Sequence, residues 1–257
     1  MQLRRCAQSL QLSVVTLTDL TPALFRVKQL GEAYMKSPLH GGHCEHRIQL
    51  APSWAKHEPP VHGVDGWLSR RHVLDLAVAA DDVKSCFEVF VYAMAWGYGD
   101  NGYGPYRTGR IIEGAGSPHN CGSFVHELKG AAAKGWRSGF EFLKDHSPKY
   151  LGPAFGTKLL YFVSPSSDRA PILDSIVAGW LLANGVATET KSIDSRRFDL
   201  DQYVCYVKFV DEALVVLSKV TNSSDIADRG FVEYLVFQDH LFSRTLASFS
   251  PWLHNLD

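Results

Sequence analysis

The chain has 257 residues, 46% hydrophobic and 21% charged, enough for one large domain or two smaller ones sharing a core. Its formal charge is −1, so no bulk excess of basic residues announces a polyanionic partner, and nucleic-acid binding would need a local basic face. The five cysteines, Cys6, Cys44, Cys86, Cys121 and Cys205, are odd in number and form no CxxC pair, which argues for reduced thiols in a cytoplasm and against a disulfide framework, an iron–sulfur cluster or a zinc ribbon.

The N-terminal stretch begins with arginines, but Gln8, Gln11, Ser13, Thr16 and Thr18 interrupt any apolar core, so no signal peptide is expected. No segment approaches the roughly eighteen apolar residues of a membrane span. Within residues 10–35, Leu20, Leu24, Phe25, Val27, Leu30 and Tyr34 recur at helical spacing behind Thr21-Pro22, which predicts an amphipathic helix. His40-Gly41-Gly42-His43-Cys44-Glu45-His46 brings imidazoles and a thiol together, but its spacing matches no standard zinc site and no second half-site lies nearby. A loop approaching phosphate is as good a reading, and no metal is assigned. Arg47 to Leu50 reads as a short strand, and Ala51 to Gly66, with its prolines, as a long irregular connection anchored by Trp54 and Trp67.

Two helices are predicted over Ser69–Ala80 and Asp82–Trp96; in the second, Val83, Phe87, Phe90, Val91 and Met94 mark a core-facing element. Next comes W-G-Y-G-D-N-G-Y-G-P-Y-R-T, residues 96–108. Glycine-aromatic loops bring flat rings close to a ligand, so Trp96, Tyr98, Tyr103 and Tyr106 are candidates to line a pocket for a flat group or to form a wedge, with plain packing of the tyrosines as the bland alternative. The glycines here are no nucleotide fingerprint, because a helix precedes them and no βαβ unit surrounds them. A short helix is expected at Arg110–Ile112, a loop over Gly114–Gly122, and helices over Ser123–Lys134 and Trp136–His146. Beyond residue 186 a polar connection at Ala187–Ser195 leads to helices at Leu200–Leu217 and Asp225–Phe242; Arg229 and Glu233 are expected to pair on the surface of the latter.

The stretch Y-L-G-P-A-F-G-T-K-L-L-Y-F-V-S-P-S-S-D-R-A-P-I-L-D, residues 150–174, organises the rest. Gly152-Pro153-Ala154-Phe155-Gly156 forces a turn, Thr157 stands where a helix N-cap would, and the free amides of a helix beginning there favour phosphate. Lys158 in that first turn opposes the helix dipole, so its position has no structural motive. Asp174 sits before the apolar run Ile176–Leu182, where an ordinary N-cap is the bland reading.

Pro153, Gly156, Thr157 and Lys158, followed by Pro171 and Asp174, resemble the helix-hairpin-helix DNA glycosylases, in particular their 8-oxoguanine glycosylase branch. Ala154 stands where that family's first hairpin glycine is expected. The resemblance implies a mainly α fold of two helical subdomains with an active-site cleft between them: one unit over 1–257, a hairpin-bearing subdomain at about 68–185 with the hairpin at 150–158, and the remaining helices from 1–67 and 186–257. It implies Lys158 as nucleophile and Asp174 as electrostatic and proton-transfer partner. Gly152, Ala154, Gly156 and Thr157 would contact DNA, and Trp96, Tyr98, Tyr103 and Tyr106 would hold the base. The expected partner is double-stranded DNA carrying a damaged or modified base, either an oxidised purine or a glucosylated cytosine of viral DNA, with no cofactor, no membrane and a monomeric state. A non-catalytic hairpin module that only binds DNA, and a helical metalloprotein built on His40 to His46, are the competing readings.

Overall fold

The computed structural model describes residues 20–36, 43–186, 199–220 and 228–245. Helices dominate: α1 (Thr21–Lys36), α2 (Arg70–Ala79), α3 (Val83–Tyr98), α4 (Gly104–Ala115), α5 (Pro118–Ala132), α6 (Trp136–His146), α7 (Pro153–Val163), α8 (Ser175–Ala183), α9 (Leu200–Ser218) and α10 (Arg229–Thr245). Two short strands, β1 (Arg47–Gln49) and β2 (Trp67–Ser69), pair antiparallel with Ile48 opposite Leu68. The polar connection expected at Ala187–Ser195 lies outside the described residues.

Local chemistry explains where most of the helices begin. Ser69 accepts from the His72 amide at 3.1 Å to start α2, Asp82 and Ser85 form a reciprocal capping box at α3, and Ser117 accepts from the Asn120 amide at α5. Asp199 does the same for α9 through the amides of Asp201 and Gln202. Pro105 presets the first turn of α4 and a left-handed Gly116 ends it.

Three of these boundaries and one ion pair differ from the sequence expectation. The helix α4 begins at Gly104 and runs to Ala115, so the glycine-aromatic stretch is a loop only as far as Tyr103. The helix α5 starts at Pro118, five residues before Ser123, because Ser117 caps it. The helix α7 starts at Pro153, not at Lys158: the proline lacks only an amide that a first turn leaves unused, and the Gly156 amide bonds Gly152 O at 2.9 Å. Thr157 is therefore interior to α7 and does not cap it. Arg229 and Glu233 do not pair: Arg229 reaches Asp168 and Asp211, each at 2.6 Å, while Glu233 is turned into the core.

The helices fall into two groups. Around α3, whose buried face includes Val89, Phe90, Val91 and Met94, pack α2, α4, α5 and α7, with α6 against α5 and α7. The helix α8 lies on α10, which also meets α9 and α1, so the second group joins the N-terminal helix to those that follow α7. Trp54 in the irregular 51–66 segment and Trp180 in α8 are among the largest fully buried side chains.

The α3–α5 seam is close because Gly122 faces the start of α3: an added Cβ would collide with Val83 O. Gly122→Ala is expected to lower stability by about 1–3 kcal/mol through overpacking. Gly130→Ala, on the exposed side of the same helix with open space around it, should raise it by about 0.5–1 kcal/mol. Denaturant unfolding midpoints of the two variants check the pair.

Candidate active site

The segment Ala170–Leu173 is buried and extended, and hydroxyls of other elements hold its backbone. Tyr203 and Tyr206 of α9 donate to Pro171 O at 2.7 Å and Ile172 O at 2.9 Å. Thr157 of α7 donates to Leu173 O at 3.2 Å and accepts from the Leu173 amide at 3.1 Å. Residue 174, next in the chain to Leu173, is thereby held beside Lys158, the neighbour of Thr157.

Asp174 divides its carboxylate. Oδ1 accepts the amides of Ile176 and Val177 at 3.0 and 3.1 Å and starts α8, while Oδ2 accepts from Lys158 Nζ at 2.6 Å. The two side chains are only 9% and 12% exposed. Burial pushes the Asp174 carboxyl up, but the charge and hydrogen bond of Lys158 and the two amides outweigh it and leave it below the usual carboxylate range. Lys158 reaches this position past Gly97: a Cβ there would come within 2.6 Å of the Phe155 ring and 3.0 Å of Lys158 Cδ. Phe155 in turn stacks on Tyr98 with centroids 4.1 Å apart.

Both residues open onto a cavity of about 710 Å³ lined by β1, β2, α2, α3, α7, α8 and α10. Beside them lies a second, deeper ion pair, Arg70–Glu233, at 2.9 Å and with side chains 1% and 2% exposed. The guanidinium sits 4.9 Å from the Trp96 ring and 5.0 Å from the Tyr161 ring. Burial raises the Glu233 carboxyl, against the pull of Arg70. Burial and the Arg70 charge push the His46 imidazole down to about 3, so it lines the cavity as a neutral ring.

Of the aromatic candidates, Trp96 and Tyr98 line the cavity. Tyr103 and Tyr106 do not; they stand 5.0 Å apart at the start of α4, 54% and 53% exposed. Gly152 and Ala154 form the partly exposed entry of α7, whereas Gly156 and Thr157 are buried, and the Thr157 hydroxyl is committed to Leu173, which removes it as a phosphate contact. Among the basic residues near the hairpin, Lys134, Arg137, Lys144 and Lys149 are exposed, while Arg169 turns inward to Asp228 at 3.3 Å. The histidine cluster disperses: His43 bonds Asp228 at 3.0 Å, His46 faces the cavity, and His40 lies outside the described residues. Among the described residues no three metal-binding side chains converge. Sequence reasoning missed Arg70 and Glu233. The available signal was an acidic residue inside the apolar run F-V-E-Y-L-V-F of α10.

A mainly helical chain, with a lysine behind a glycine-proline turn and an aspartate capping a later helix across a cleft, has the organisation of a helix-hairpin-helix DNA glycosylase. The model of the family described as "Putative 8-oxoguanine DNA glycosylase OGG-like protein" matches residues 43–237, and the chain belongs to that family. Neither a curated protein nor a solved structure matches it. Among the described residues no helix is long and apolar enough to cross a membrane.

The neutral His46 makes stability depend on pH. Below about 6.5 the unfolded chain protonates this ring, whereas the folded chain resists until pH is near 3, so stability falls as pH drops through that window. His46→Phe, which keeps a ring against Trp96 and Tyr234, should flatten the fall between pH 6 and 4.5 by at most about 2 kcal/mol. Unfolding midpoints of both proteins across that range check it.

Proposed function

We propose that this protein excises a modified base from duplex DNA with Lys158 as nucleophile and Asp174 as its electrostatic and proton-transfer partner. The 2.6 Å contact between Lys158 Nζ and Asp174 Oδ2 at the wall of a base-sized cavity is the observation that carries the reading. The entry of α7, where the amides of Ala154 and Phe155 have no partner within the helix, grips a phosphate. The nucleotide is extruded into the cavity, where Trp96 and Tyr98 offer ring faces. Tyr103 and Tyr106 stay at the surface as candidates for the wedge that fills the vacated stack.

In the reaction, Lys158 gives up one proton to Asp174 Oδ2, and its lone pair attacks C1′ of the deoxyribose. The glycosidic bond breaks toward the base, which leaves with the bonding electrons and takes up the proton that Asp174 received from Lys158. The carboxylate so restored stabilises the positive charge left on the sugar. Loss of a second nitrogen proton with ring opening gives a Schiff base, from which β-elimination cuts the strand. The substrate classes that fit are an oxidised purine such as 8-oxoguanine, in repair, and a glucosylated hydroxymethylcytosine of viral DNA, in defence.

Borohydride reduction during incubation with duplexes carrying these bases should trap a covalent protein–DNA adduct, and Lys158→Gln should abolish it. A protein that only binds DNA traps nothing, and an adduct surviving Lys158→Gln sinks the assignment of the nucleophile. Release of the base by Lys158→Gln without nicking would mean that water, positioned by Asp174, attacks instead.

Asp174→Asn keeps the N-cap but takes the counter-charge from the buried Lys158, so the unfolding midpoint should fall while the chain remains folded. Base release should nonetheless drop by about 10²–10³-fold, the usual effect of removing one preorganised stabilising group. Single-turnover rates and a thermal melt of the same preparation separate the two effects.

A further inference from the structure

Outside the cavity, beside the entry of α7, arginine ties several exposed tyrosines into one surface. Tyr103, Tyr106 and Tyr150 are 54%, 53% and 40% exposed, and the first two rings stand 5.0 Å apart. Arg110 of α4 donates to the Tyr150 hydroxyl at 2.8 Å and to the Tyr106 hydroxyl at 3.4 Å, with its guanidinium 4.7 Å from the Tyr150 ring. Lys149 adds an ammonium 5.1 Å from that ring. Arg107 is directed in the same way at the hydroxyls of Tyr98 and Tyr103. Tyr150 itself holds a φ of +75°, an outlier for a bulky residue that persists only where the surroundings impose it. The helix α4 is one such neighbour: a Cβ on Gly114 would come within 2.5 Å of Lys149 O, so the helix presses on the backbone just before the hairpin.

Contiguous exposed rings mark an interaction surface, and the chemistry here suits bases more than phosphates. Both arginines spend donors on phenols, Arg110 also meets Glu113 at 3.3 Å, and the chain's charge is −1, so counterion release has little to work with. What is offered is ring area beside cations, on which any unpaired base stacks. A wedge filling one vacated position takes a single ring, and three rings exceed that need. We propose that this surface stacks unpaired bases next to the extruded nucleotide, on the strand that the α7 entry grips, so that the protein holds DNA melted around its target more tightly than closed duplex. This rests on the phosphate grip proposed for α7 and deepens it by naming the form of DNA bound. Tyr150 lies two residues before Gly152, the N-cap of α7, so the surface and the grip are continuous.

The test is binding of the full chain, by fluorescence anisotropy, to three labelled DNAs that all carry a tetrahydrofuran abasic unit at the target position. The first is otherwise fully paired. In the second, the two nucleotides on either side of the target are mispaired. In the third, those flanking nucleotides of the target strand are propanediol spacers, which keep the phosphates and lack the bases. The second should bind at least about tenfold more tightly than the third, the effect of stacking one base or more, and more tightly than the first. Tyr103→Leu/Tyr106→Leu should shrink the ratio between second and third to under about threefold. Tyr150→Asn, which puts a residue that tolerates positive φ in its place, should lower that ratio as well. Equal affinity for the second and third DNAs overturns the inference, as does tightest binding of the closed duplex or an unchanged ratio in both variants. A borohydride-trapped adduct in any of those cases leaves the glycosylase reading intact. Should the variants fail to fold, the three wild-type affinities decide alone. Binding to none of the DNAs, with no trapped adduct, sinks the glycosylase reading and this inference together.

Discussion

The site depends on three hydroxyls that hold one stretch of backbone. Residues 171–173 run extended through the interior, where carbonyls left unpaired would be costly, and Tyr203, Tyr206 and Thr157 each bond one of them. Two of those hydroxyls come from α9 and one from α7, so the same bonds join the two groups of helices and set the start of α8. The position of Asp174 opposite Lys158 follows from them. Thr157, adjacent to the lysine in sequence, ties the far side of the pair directly to the near side.

The chain is close to neutral, yet its interior is rich in ions. Lys158 with Asp174, Arg70 with Glu233, and Arg169 with Asp228 and His43 lie at or near the junction between the helix groups. Removing one partner of such a pair strands the other in a poorly solvating environment, so these contacts specify one arrangement of the helices more than they add net stability. A bulk charge of −1 therefore says little about where charge is placed.

What could be read from the sequence was local. The glycine-proline turn, the lysine after it and an acidic cap before an apolar helix are encoded within about twenty-five residues, and the helix periodicities of α3, α6 and α9 lie within single windows. The boundaries of α4, α5 and α7 were missed because a proline in a first turn reads as a breaker, and only α5 has a capping side chain, Ser117, to mark its start. Glu233 was placed on the surface because Arg229 stands four residues away, and only the fold shows that its side of α10 faces Arg70, 163 residues earlier in the chain (233 − 70). Tyr103 and Tyr106 share their composition with Tyr98, but a turn of helix carries them out of the cavity.

Asp174 performs two duties with separate oxygens, one holding the end of a helix and the other meeting an amine. Drift at this position is therefore constrained twice. Selection for a folded chain alone would retain a short side chain with an oxygen there, so descendants that had lost their chemistry would still carry aspartate or asparagine at 174. The lysine has no such second duty and would be the first of the two to vanish.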